Sequence, residues 1–188
     1  MRDVYELCPI LENERFLLRL LKEEDTDDLL KVYSDEKAVP YFNGDNCHGD
    51  NFYYSNYERM KEAMKFWLMS YDNHWFVRFT IVDKKSKEAI GTVEVCNRNS
   101  DDYYNECGII RVDLRSDYEN KESIKSVLEV IVPEAYKLFN CTRVVTKAWQ
   151  YAEERIEALK SCGFVRSEEP LVGDDGTRYG DYWIASNN

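Results

Sequence analysis

Hydrophobic spacing along the chain switches repeatedly between a period of two and a period near 3.6, and each switch marks an element. Residues 15–20 read as a first strand, and Asp25-Thr26 can cap a helix carrying Leu29, Leu30, Val32 and Tyr33. Residues 36–51 hold Pro40, Gly44 and Gly49 among polar side chains, which is loop chemistry. A second helix fits residues 53–71, with Met60, Met64, Trp67 and Tyr71 on one stripe. From Trp75 the period becomes two. Trp75, Val77, Phe79 and Ile81 share one face and Arg78 and Thr80 the other, as in a half-buried strand. The polar run 83–88 then turns residues 75–83 and 89–97 into a hairpin, and a further strand covers residues 105–114.

The helical period returns at Ile124, Val127, Leu128, Ile131, Ala135 and Leu138, with Pro133 inside it, so a kink or an early end is expected there. Residues 143–148 form a short strand and residues 153–161 a helix, which Gly163 stops in the left-handed conformation that helix ends favour. Residues 164–167 and 179–184 bracket the turn Gly173-Asp174-Asp175-Gly176 as a last hairpin.

The 188 residues, 44% of them hydrophobic, can bury an ordinary core, and a single domain over residues 1–188 is the economical reading. A net charge of −11 repels phosphate backbones and anionic bilayers, which argues against nucleic-acid and membrane partners. The opening Met1-Arg2-Asp3-Val4-Tyr5-Glu6 is mixed and no apolar run approaches a membrane span, so a cytoplasmic location is expected. Six cysteines without a C-x-x-C pair read as reduced core thiols. Cys47-His48 with Asp45 and Asp50 lacks the two-armed spacing of a zinc site, and a solvated loop without metal is expected there.

The order of strand, two helices, three mainly antiparallel strands, long helix, strand, helix and two strands makes an α/β (α+β) fold. With Phe16-Leu17-Leu18-Arg19-Leu20, Ile90-Gly91-Thr92-Val93, Arg143-Val144-Val145-Thr146-Lys147-Ala148 and the helix ending Ser161-Cys162-Gly163-Phe164, the chain resembles the GNAT (general N-acetyltransferase) superfamily, in particular its ribosomal-protein N-acetyltransferase branch. The resemblance covers about residues 12 to 186. It implies a mixed, mainly antiparallel sheet of about six to seven strands flanked by helices, acetyl-CoA as co-substrate, and transfer of its acetyl group to an amine of a peptide or small molecule.

In that family a glycine-rich loop at a helix N-terminus holds the pyrophosphate of acetyl-CoA, because free N–H groups and the positive end of the helix dipole attract anions. The matching stretch is Glu119-Asn120-Lys121-Glu122-Ser123-Ile124, where Glu122 and Ile124 stand at the small positions and no glycine occurs from Ile109 to Leu138. Asn120, Lys121 and Ser123 could still assist at the phosphates, while backbone groups of Val112, Asp113 and Leu114 would face the thioester. The other outcome is a GNAT-like binding or regulatory protein whose cofactor site is altered. The carboxylates placed to take the amine's proton are Glu106 and Glu94, each of which also reads as an ordinary solvent-facing strand residue. Relatives' general-acid Tyr corresponds to Leu159, and their Asn after the fifth strand falls near Ala152. Tyr41, Phe42, Phe52, Tyr53, Tyr54 and Tyr57 crowd the acceptor side, where they could line a cleft, form a homodimer contact or simply pack on the sheet.

Overall fold

A computed structural model describes residues 3–187. Strands β1 (Leu11–Glu12) and β2 (Phe16–Leu20) lead into helices α1 (Thr26–Tyr33) and α2 (Tyr57–Asp72). Then come β3 (Val77–Asp83), β4 (Ala89–Asn97), β5 (Gly108–Leu114), α3 (Lys121–Leu138), β6 (Arg143–Lys147) and α4 (Glu153–Ser161). The short strands β7 (Val165–Arg166), β8 (Leu171–Val172) and β9 (Arg178–Tyr179) precede β10 (Tyr182–Ser186). Eight strands form one sheet in the order β1-β2-β3-β4-β5-β6-β10-β7, and β8 pairs with β9 apart from it. All neighbours run antiparallel except β5 and β6. The mixed, mainly antiparallel architecture is as expected, and two-residue edge strands bring the sheet to eight.

Strict alternation gives the central sheet two unlike faces. Val77, Phe79, Ile81, Val93, Val95, Ile110, Val112 and Leu114 join Ile124, Val127, Leu128 and Ile131 of α3 in the main core. The opposite face carries Arg78, Thr80, Thr92, Glu94 and Asp113, all buried, and α1 and α2 cover it with Leu29, Tyr33, Met60, Met64 and Trp67. The reading of residues 75–83 as half-buried is therefore corrected: Arg78 is 1% exposed and Thr80 0%. Periodicity assigns faces but cannot reveal that a polar face is roofed.

The boundaries shift for local reasons. Asn56, in an extended conformation, accepts a hydrogen bond on its side chain from the Arg59 N–H (3.0 Å), so α2 starts at Tyr57 rather than near residue 53. Trp75 is still tied to the end of α2 through its N–H to the Ser70 carbonyl (2.9 Å) and is 55% exposed, so β3 begins two residues later. Helix α3 continues past Pro133 to Leu138, without the early end. Pro133 is exposed, so the acceptor it leaves unmet lies on the solvent side. Helix α4 ends as foreseen: Gly163 has φ +81°, its N–H reaches the Lys160 carbonyl and the Phe164 N–H reaches that of Leu159. The last hairpin holds a smaller one inside it, because β8 and β9 pair around Gly173–Gly176 while β7 pairs with β10. Among the described residues no helix is long and apolar enough to cross a membrane.

Candidate functional site

β4 and β5 stay paired from Asn97↔Gly108 to Gly91↔Leu114, whereas β5 and β6 pair only at Gly108↔Val144 and Ile109↔Val145. Beyond Ile109 the two parallel strands part, and β5 acceptors facing the split need partners other than a strand. The Val112 carbonyl finds one in the Arg155 guanidinium of α4, whose Nη1 donates to it at 2.8 Å. Nε and Nη2 of Arg155 donate to Glu119 Oε1 (2.7 Å) and Oε2 (2.6 Å), a bidentate pair with both side chains about 95% buried (4% and 5% exposed).

The start of α3 lies beside this pair. Asn120 caps the helix, its side chain accepting from the Ser123 N–H at 3.0 Å, and its carbonyl takes the Ile124 N–H. The Lys121 N–H donates to the carboxylate of Glu154, on the first turn of α4, at 2.7 Å. The Asn120 N–H in turn donates to the Tyr118 carbonyl at 2.8 Å, so of the four leading N–H groups that a helix leaves free, those of Asn120, Lys121 and Ser123 have partners among the described residues.

On the polar face of the sheet, under α2, a cavity of about 660 Å³ opens to solvent. Phe52, Tyr54, Phe66, Trp67, Trp75 and Phe76 wall it, and Arg78, Glu94 and Arg111 form its floor. Glu94, 2% exposed, bridges the two guanidiniums: Arg111 donates to Oε1 at 2.5 Å and Arg78 to Oε2. Arg78 also donates to the Tyr33 hydroxyl (3.0 Å), Thr92 Oγ1 (3.1 Å) and Asp113 Oδ2 (3.2 Å), with its guanidinium carbon 4.0 Å from the Trp67 ring centre. Burial pushes the Glu94 carboxyl up, but Arg78 and Arg111 outweigh it and hold the group below the usual range. For Asp113 the balance reverses: burial dominates and its carboxyl titrates above the usual range despite Arg78 and the Tyr33 hydroxyl.

The family model described as acetyltransferase (GNAT) domain matches residues 15–165. The chain belongs to the GNAT acetyltransferase family. No curated protein sequence matches it significantly. Among solved structures it is similar to the ribosomal-protein-S5-alanine acetyltransferase of Vibrio fischeri, with 19% identity, TM-score 0.68 and coverage of 95% of this chain and 96% of the other. It also resembles a GNAT-family acetyltransferase of Bacillus anthracis, with 11% identity, TM-score 0.69 and coverage of 95% and 98%. A third neighbour is the spermidine N-acetyltransferase of Vibrio cholerae in complex with CoA and spermine, with 14% identity, TM-score 0.65 and coverage of 93% and 96%.

Measured against this GNAT frame, the expected donor residues divide. Val112 and Lys121 are held beside the split between β5 and β6 through their backbone groups, and Asn120 caps α3 next to them with its side chain. Asp113 turns its side chain to the polar face, where Tyr33 donates to it at 2.8 Å. Leu114 and Ile124 lie in the main core, so Ile124 packs against neighbours of its own chain. Glu122 is exposed, and Ser123 is buried with its hydroxyl unpartnered among the described residues. Of the expected bases, Glu94 lines the cavity, while Glu106 is exposed in the turn before β5, with φ +61°, outside the cavity lining. Phe52 and Tyr54 serve as cavity wall and core at once; Phe42 is core alone.

The residues missed from sequence are Glu119 as an ion-pair partner, Glu154 and Arg155. Their signal was the loss of the family's Asn at Ala152, at the head of the same helix. The family uses acetyl-CoA; in this chain Arg155 holds the Val112 carbonyl and Glu154 the Lys121 N–H. Beside them the buried Ser123 hydroxyl is unpartnered among the described residues. The stretch around Asp45, expected as a solvated loop, is corrected too. Asp45 is 7% exposed, accepts from Lys147 Nζ at 2.5 Å and from the Tyr182 hydroxyl at 3.0 Å.

Proposed function

We propose that this GNAT acetyltransferase seats its amine acceptor in the aromatic cavity beneath α2 and receives the acetyl group across β5 from the side of the split. One observation carries the reading: consecutive residues of β5 serve the two regions, Arg111 lining the cavity and Val112 presenting its carbonyl to the split. An amine reaching the cavity floor therefore approaches the place where β5 and β6 part. The acceptors named for similar structures are a ribosomal protein's alanine and a polyamine, and both classes belong among the candidates. Glu94, fully engaged with two guanidiniums, acts in this reading by fixing Arg78 and Arg111 under the acceptor. A carboxylate so held has little basicity left to offer an ammonium. Six free thiols agree with a reducing, cytoplasmic setting.

The test is release of free CoA thiol from acetyl-CoA with a panel of polyamines and peptides bearing free N-termini, with mass spectrometry of the acceptor. An acetylated acceptor supports the assignment. Folded protein that acetylates none of them overturns it and favours the second reading, a GNAT-like binding protein, for which the filled split is the specific observation.

A further inference from the structure

The split between β5 and β6 is filled by side chains that recognise each other as a ligand would be recognised. Arg155 uses one nitrogen on the Val112 carbonyl and two on Glu119, so each of its three nitrogens has a partner. Glu154 rests on the Lys121 N–H at the positive end of α3, the position at which that end attracts an anion. Both Glu154 and Arg155 sit on the first turn of α4, so one short rigid element reaches the strand edge and the helix end together.

We propose that α4 gates the donor cleft from inside: Arg155 with Glu119 closes the split, Glu154 covers the α3 N-terminus, and a CoA thioester enters only by displacing Arg155 from the Val112 carbonyl and Glu154 from the Lys121 N–H. This rests on the reading that the split is the donor side. Two parts of the ligand meet two parts of the gate. The amide chain of pantetheine competes with Arg155 for the Val112 carbonyl. The pyrophosphate competes with Glu154 for the same N–H and meets a like charge there. Glu122, the acid that the sequence placed at the phosphates, is exposed and plays no part in the gate.

Calorimetric titration of CoA and of acetyl-pantetheine, which has no phosphates, separates the two parts. Glu154→Ala is expected to tighten CoA about tenfold, the scale of one like-charge contact near 4 Å, and to leave acetyl-pantetheine unchanged. The paired change Arg155→Ser, Glu119→Ser is expected to tighten both ligands. It also avoids leaving either charge buried alone, and thermal unfolding without ligand establishes that each variant is folded. Glu122→Ala is the control and is expected to bind CoA as the parent does. If the folded gate variants bind CoA no more tightly than the parent, or if Glu122→Ala tightens it equally, the gate is overturned. Variants that gain CoA affinity yet acetylate no amine sustain the gate and refute the acyltransferase reading. A parent that acetylates amines while the gate variants show no gain does the reverse.

Discussion

Lys147 and Asp45 stand 102 positions apart in sequence and 2.5 Å apart in space, and each is more than 90% buried. The ammonium also lies 3.6 Å from the centre of the Trp149 ring, and Asp45 takes the Tyr182 hydroxyl as a second donor. The pair thus ties the loop before α2 to β6 and β10. Removing one partner of such a pair strands a buried charge, at a cost of about 3–5 kcal/mol. Lys147→Met should lower urea-unfolding stability by that amount, and Asp45→Asn combined with it should recover part of the loss. A loss in the double variant equal to the sum of the losses in Lys147→Met and Asp45→Asn alone would show that the two charges are not coupled.

Asp25 gives the fold an acid-sensitive tie. Burial pushes its carboxyl up, but Arg19 (2.6 and 2.8 Å), the Thr80 hydroxyl (2.8 Å) and the Lys22 N–H (3.1 Å) outweigh burial and hold it below the usual range. A depressed folded value means that the unfolded chain takes up the proton first as pH falls. The stabilisation is whole above the unfolded value of about 4 and declines below it toward the folded value. Unfolding free energies measured from pH 6 downward should therefore fall more steeply below about pH 4 in the parent than in Asp25→Asn. Parallel curves would remove Asp25 as the source.

Gly91 lies opposite Leu114 where β5 passes close by, and a Cβ there would stand 2.2 Å from the Asp113 carbonyl oxygen. Backbone cannot yield as a flexible side chain does. Gly91→Ala should cost about 2 kcal/mol or more, at the upper end of overpacking penalties, read from the shift of the denaturation midpoint. A cost near zero would mean that β4 and β5 separate easily at this end.

Glu106→Gln should not show the roughly 10²-fold fall in turnover that loss of a general base causes, because Glu106 is exposed and lies outside the cavity lining. Initial rates on any accepted amine decide this. A fall of that size would return the proton transfer to Glu106 and require the acceptor to approach from the β5 turn.

What could be read from the sequence was whatever depends on near neighbours. The bounds of α4, the left-handed Gly163 and the β3–β4 hairpin follow from caps, glycine and alternation acting over a few residues. Arg78 and Thr80 looked solvent-facing because alternation cannot say whether a helix roofs the polar side. Asp45 looked like loop because its partner is Lys147, far along the chain. The ties across the split between β5 and β6 are hidden from sequence for the same reason. Glu122 was the visible acid at the helix start, while the carboxylate on the helix N–H comes from Glu154, 33 positions beyond Lys121.

The place of β10 bears on how a nascent chain acquires this structure. Tyr182–Ser186 fills the gap between β6 and β7 and pairs with both, so β7 has no partner and β6 only its short pairing with β5 until residues 182–186 have left the ribosome. Until then β6 presents Val144 and Val145, both fully buried at the end, on an open edge. Synthesis at about 5–20 residues per second makes the wait between β6 and β10 a matter of seconds. During that interval the emerging polypeptide offers chaperones, or another unfinished copy, a strand ready to be paired.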